Sequence, residues 1–144
     1  MFIDRQTSSY DALCRSFRWQ LPERFNIGVD LCGRWAEDRS RFALYYEDES
    51  GFSSAYTFWD IQRQANRLSN VLAALGTLSG DRVALILPQC PEAAIAHVAI
   101  YQMGALAVPL SPLCTPDALA YCLGDAGAHL AIVDAATLPT LRQL

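Results

Sequence analysis

The spacing of apolar positions changes along this chain, and each change marks an element. Within "FWDIQRQANRLSNVLAALG", Phe58, Ile61, Ala65, Leu68, Leu72 and Leu75 recur at intervals of three and four, which predicts one long amphipathic helix. Thr57 stands as its N-cap and Gly76 as its end, with Arg63 and Arg67 on the solvated side. Past "TLSGD" the helical period gives way to short unbroken apolar runs. "RVALILP" reads as a strand buried on both faces. "CPEAAIAHVAIYQMG" opens with Pro91 and Glu92 in a favourable first turn and closes at Gly104. "ALAVPL" is a second run, "TPDALAYCLGDAG" repeats the helix grammar behind Thr115, and "HLAIVDA" is a third run.

Strand, helix, strand, helix, strand with short links predicts two βαβ units on a parallel sheet. The fold class is therefore α/β: a βαβαβ segment preceded by a helix, a hairpin and the long amphipathic helix. Pro109 removes one ladder bond, so its strand belongs at a sheet edge or ends there. Ligands of open α/β sheets gather at the carboxyl ends of strands, which puts "PLSP" near a cleft.

Upstream the pattern is weaker. Residues 1–25 hold no sustained period and read as an irregular lead-in, leaving 26–144 as a partial α/β domain. "NIGVDLCGRWAEDR" starts a helix behind the N-cap Asn26, with Ile27, Leu31 and Trp35 on one face. "RFALYYEDESGFSSAYTF" reads as two strands about the turn "DESG".

Residues 93–116 carry no formal charge and are numerous enough to span a bilayer as a helix. Gly104 divides the stretch and Pro109 breaks a helix through its second half, so two short buried elements explain it and no transmembrane segment is expected. The N-terminus lacks the basic and apolar regions of a secretory signal. Five cysteines, an odd number without a CxxC pair, fit reduced thiols in the cytoplasm better than a disulfide framework or a zinc site.

Composition narrows the function classes. Of the 144 residues, 52% are hydrophobic and 18% charged, which supports a packed core. The net charge of −4 argues against a nucleic-acid partner. All 11 basic side chains are arginine, so chemistry that needs a lysine ammonium has no place in this sequence.

Candidate chemistry is sparse. His97 and His129 have no Ser, Cys or carboxylate at a catalytic spacing and read as structural. Cys90 and Cys114 stand at the entrance to proline-led helices, where a helix N-terminus can lower a thiol pKa. The acidic run Glu47, Asp48, Glu49 reads as a solvated turn, since it lacks the alternating ligands of a calcium loop. The glycines of "LGTLSGDR" and "LGDAGAH" read as helix caps, because neither stretch joins a strand to a helix as a dinucleotide loop does. Trp35 and Trp59 read as core packing. No catalytic, cofactor-binding or metal-ligating residue emerges.

The order of these stretches resembles the N-terminal region of the AMP-forming acyl-CoA synthetases, within the larger adenylate-forming family. "YTFWDIQRQANRLSNVLAALG" is similar to that family's first core motif, and "GDRVALILPQCPEAAIAHVAIYQMGALAVPLSP" to its second. "TPDALAYCLGDAGAHLAIVD" resembles the helix and strand that follow. "FRWQLPERFNIGVDLCGRWAED" resembles the lead-in of short- and medium-chain fatty acyl-CoA synthetases.

The resemblance implies an N-terminal piece of the large domain of a two-step ligase. A carboxylate attacks ATP to give acyl-AMP and pyrophosphate, and CoA then displaces AMP, with Mg²⁺ assisting. ATP, Mg²⁺ and CoA belong to the parent enzyme, with a carboxylic (fatty) acid as its other substrate. The family's phosphate loop with its lysine, its ribose contact and its catalytic lysine are implied to lie beyond Leu144. The isolated chain is thus expected to bind none of the cofactors and to be inactive. Where many members place a basic residue near the CoA approach, this sequence has Leu113. Two alternatives stand: a piece of an amino-acid or aryl-acid adenylation domain, and a free-standing partner-binding α/β domain. A sheet lacking further strands also implies self-association through its open edge.

Overall fold

The computed structural model describes residues 9–19 and 22–144. The remainder of the lead-in, including two residues of "FRWQLPERFN", lies outside them. The described part of the lead-in is not irregular throughout: Tyr10–Ser16 form a helix, α1, capped by the Ser9 side chain accepting from the Ala12 N–H. No α1 side chain is buried.

Asn26 caps α2 (Ile27–Leu31) as expected, its Oδ1 accepting from the Val29 N–H. The expected face is corrected. The α-helix stops at Leu31 and tightens into a 3₁₀ turn at Gly33–Trp35. A period of 3.6 no longer applies across that junction. Ile27 and Leu31 are about half exposed, while Gly28, Cys32 and Ala36 turn inward. Gly28 is required by close packing, since a Cβ there would sit 2.7 Å from the backbone nitrogen of Gln102.

Strands β1 (Phe42–Glu47) and β2 (Ser53–Thr57) form the expected antiparallel hairpin, with a register shift between Phe42 and Leu44. Its turn is organised by Asp48, whose Oδ1 accepts from the Ser50 N–H, the Ser50 hydroxyl and the Phe52 N–H. The acidic run therefore serves the turn. Helix α3 (Phe58–Ala74) begins in a reciprocal capping box between Thr57 and Asp60. Ile61, Ala65 and Leu72 of its stripe are buried, but Leu75 is 66% exposed.

The second sheet is wholly parallel and three-stranded, in the order β4 (Leu106–Pro109), β3 (Arg82–Ile86), β5 (Leu130–Val133). Helix α4 (Pro91–Gln102) links β3 to β4, and α5 (Pro116–Ala126) links β4 back to β5. The two crossovers run in opposite directions along the sheet, which for the usual right-handed connection places α4 and α5 on opposite faces. The α/β class and the parallel βαβαβ order hold.

Central β3 is buried from Val83 to Ile86, as its unbroken run predicts. Second-run strand β4 lies instead at an edge, with Leu106 half exposed and Pro109 as its last residue, where a missing N–H does least harm.

Helix α4 lacks a single apolar stripe because it is buried on two sides. Ile95, Val98 and Ala99 meet Cys32, Ile61 and Ala65, whereas Ala96 and Ile100 meet Val83, Leu85 and Leu72. Burying a side chain the size of Leu72 contributes about 1.5–3 kcal/mol. Gln102, at the end of α4, ties three helices together. Its carbonyl accepts from Asn26 Nδ2 at 3.1 Å, and its side-chain amide donates to Ser69 Oγ at 2.5 Å and accepts from Gln62 Nε2 at 2.7 Å. The chain ends in a short helix, α6 (Leu138–Leu141). Among the described residues, no helix is long and apolar enough to cross a membrane.

Candidate functional site

Parallel pairing brings the carboxyl ends of β3 and β4 side by side, with Leu85 opposite Pro109. Both chains then leave the sheet through rigid prolines, "LPQ" after β3 and "PLSP" through β4's end. Beyond these exits lies an open cleft of about 760 Å³. Its floor is Leu85, Leu87 and residues 109–113; the start of α4 forms one wall, and the hairpin strand β1 the other through Leu44, Tyr45 and Tyr46. The expectation that "PLSP" borders a cleft is met.

Isolated polar groups punctuate an otherwise apolar lining. His97 Nδ1 lies 2.8 Å from the Ala93 carbonyl. A carbonyl only accepts, so Nδ1 carries the hydrogen and Nε2 is an acceptor while the ring is neutral. The imidazole also packs against Tyr101, with ring centres 5.7 Å apart. Partial burial, then the nearby Asp48, push the Tyr46 phenol above its usual range.

The Cys90 thiol is not activated by its place at a helix N-terminus. Desolvation is the largest influence and raises its pKa, with Glu92 adding to the rise, so the helix N-terminus does not prevail. Cys32, buried and 3.5 Å from the Phe58 carbonyl, is pushed up to about 11 by burial. All five cysteines are free thiols. Cys114 is half-buried.

His129 lies outside the cleft, its Nε2 3.6 Å from Asp81 Oδ1, a carboxylate 48 positions upstream that no local spacing reveals. Trp35 and Trp59 are half-buried rather than core, and both carry arginine side chains on their rings. The glycine readings hold for Gly127, which ends α5 in the left-handed region at φ 59°.

The lining does not fit a magnesium-bound triphosphate. It contains no arginine and no carboxylate, and among the described residues no group of three or more His, Cys, Asp or Glu side chains converges. Neither charge neutralisation nor cation coordination is available there. What the cleft offers is apolar surface with isolated hydrogen-bonding groups.

Comparison with known proteins defines the class. The profile of the AMP-binding enzyme family matches residues 33–144. The chain belongs to that family. It is 38% identical over 117 residues to an acetyl-coenzyme A synthetase of Gemmatimonas aurantiaca, covering 80% of this chain and 18% of that protein. It is 26% identical to a mitochondrial acyl-coenzyme A synthetase of Rattus norvegicus, covering 96% of this chain and 25% of that one. An acyl-CoA synthetase of Brucella canis superposes with a TM-score of 0.79 at 28% identity, over 83% of this chain and 22% of the other. An anthranilate CoA ligase solved with anthranoyl-AMP gives 0.75 at 28% identity, over 85% and 23%. The chain thus spans about a fifth of the length of these relatives.

Proposed function

We propose that this chain is the N-terminal part of a cytoplasmic, AMP-forming acid–thiol ligase and supplies one wall of its substrate cleft. The observation that carries this reading is the apolar cleft at the carboxyl ends of β3 and β4, in a chain that belongs to the AMP-binding family. In the complete enzyme a carboxylate and ATP would give acyl-AMP and pyrophosphate, and CoA would then give the thioester and AMP. No adenylation step is routed through the cleft lining, because it holds no cationic arginine to neutralise a triphosphate. Its part is to exclude water and line the path of an uncharged moiety: Leu87, Leu110 and Leu113 by apolar contact, and His97 and Tyr46 as hydrogen-bonding groups.

An aliphatic acid is the favoured substrate. Similarity to acetyl-coenzyme A synthetases at 38% identity supports it, whereas the superposition on the anthranilate ligase keeps an aryl acid as the second reading. The test is thioester formation from acetate, a medium-chain acid and an aryl acid by the protein encoded by the whole reading frame. Turnover of the aliphatic acids supports the proposal; turnover of the aryl acid alone overturns it.

The open face beside β5 further supports self-association of the isolated chain. Val71 and Leu75 at the end of α3 are exposed and border a groove against Leu130, Ile132 and Leu138. Among the described residues, strand β5 pairs on one side only.

A further inference from the structure

Away from the cleft, two tryptophans carry four arginines. The Arg34 and Arg41 guanidinium carbons lie 4.4 and 3.9 Å from the centre of the Trp35 ring. Those of Arg39 and Arg63 lie 4.9 and 4.8 Å from the centre of Trp59. The two groups form one surface. The short link before β1 sends Arg39 to one ring and Arg41 to the other, and Trp35 packs on Phe58, the neighbour of Trp59, with centres 6.4 Å apart. The link itself is pinned to α3 by the Phe58 N–H donating to the Arg41 carbonyl at 3.0 Å.

Stacking fixes a guanidinium while leaving its in-plane N–H donors free. Arg34 spends one on Asp30 at 3.0 Å. Arg39, Arg41 and Arg63 have no hydrogen-bond acceptor and no ion-pair partner among the described residues, and all three are exposed. Asp38 and Asp60 lie near enough to Arg41 and Arg63 to feel their charge, but their hydrogen bonds come from elsewhere: Asp38 accepts from the Ser40 hydroxyl and N–H, and Asp60 from Thr57. Three ring-stacked guanidiniums without a protein acceptor offer their donors to carboxylates, and tryptophan and arginine are the residue types that dominate interface energetics.

We propose that this Arg–Trp face docks an acidic segment of a partner protein. A nucleic acid fits less well. Glu37, Asp38 and Asp60 are interleaved with the arginines and repel a dense run of phosphates, and with two guanidiniums over each ring no stacking surface is left for a base. Separately spaced side-chain carboxylates can address each arginine in turn. The reading is independent of the ligase assignment.

The test titrates the full 144-residue chain with a synthetic peptide of alternating Glu and Gly, following the indole N–H resonances of Trp35 and Trp59 at low and high salt. Salt-sensitive binding that moves both indoles is expected. It should weaken about tenfold in the Arg39→Gln/Arg41→Gln/Arg63→Gln variant. Binding should be unchanged in Arg67→Gln, which alters an exposed arginine of α3 that stacks on neither ring. Circular dichroism of both variants separates lost binding from lost fold; should the triple variant unfold, Arg39→Gln and Arg63→Gln singly carry the comparison. Indoles that stay put at millimolar peptide overturn the proposal, as does tighter binding of a single-stranded oligonucleotide than of the peptide.

Discussion

Arg82, the first residue of β3, donates from Nε to the Ala126 carbonyl at 2.9 Å and from Nη2 to the Gly127 carbonyl at 3.0 Å. A cation from the central strand thus satisfies the orphan carbonyls at the end of α5, where the helix dipole is negative. Gly127 permits it in two ways. Its φ of 59° suits glycine, and a Cβ there would lie 2.7 Å from Arg82 Nη2. Gly127→Ala is expected to cost about 1–2 kcal/mol by urea unfolding. Combined with Arg82→Met the loss should be smaller than the sum of the singles, because both remove the same joint. Strict additivity would contradict the coupling.

Gly28 and Gly124 should respond in opposite directions. A methyl at Gly28 meets the Gln102 backbone, which cannot move aside without shifting α4, so Gly28→Ala should lower stability by about 2 kcal/mol. Gly124 lies inside α5 with nothing within 4 Å of a new Cβ. Gly124→Ala should raise stability by about 1 kcal/mol through helix propensity alone. Thermal unfolding of the two variants side by side checks the contrast.

Acid should weaken the start of α3. The Thr57 hydroxyl, donating at 2.6 Å, and then the Thr57 N–H hold the Asp60 carboxyl below the usual aspartate value of 3.8. A carboxyl depressed by folding stabilises the fold fully above its unfolded value, and that contribution is lost as pH falls through the lowered, folded value. Asp60→Asn should therefore flatten the stability profile below pH 3.8 and leave its shape above unchanged. Thr57→Ala should cost about 1 kcal/mol at neutral pH. A profile for Asp60→Asn that falls as steeply in acid as the parent's would refute the capping-box account.

The isolated chain should associate through the face beside β5. Light scattering is expected to show a dimer or larger species that Leu75→Glu returns toward monomer. A monomer at every concentration would count against that face as a contact.

Much of this architecture was legible where its cause is local. The Thr57 box, the apolar β3 run, and the glycine that ends α5 are each determined within a few residues. What escaped has distant causes. Nothing near Gly28 announces the Gln102 backbone, and nothing near His129 announces Asp81. The turned face of α2 follows from a switch to 3₁₀ geometry that a constant period cannot foresee. The stacked arginines escaped for the same reason: Arg39 and Arg63 meet at Trp59 only once the link before β1 folds over α3. The cleft was legible in position, from "PLSP" after an apolar run. Its β1 wall, supplied by Tyr45 and Tyr46, comes from a separate sheet and was not.

ATP–pyrophosphate exchange by the purified 144-residue chain, with Mg²⁺ and either acetate or a medium-chain acid, tests the central claim most directly. A wall without triphosphate ligands should give exchange at the level of the protein-free blank. Exchange above that blank, dependent on the added carboxylate, would contradict the account, since these residues alone would then bind and activate ATP.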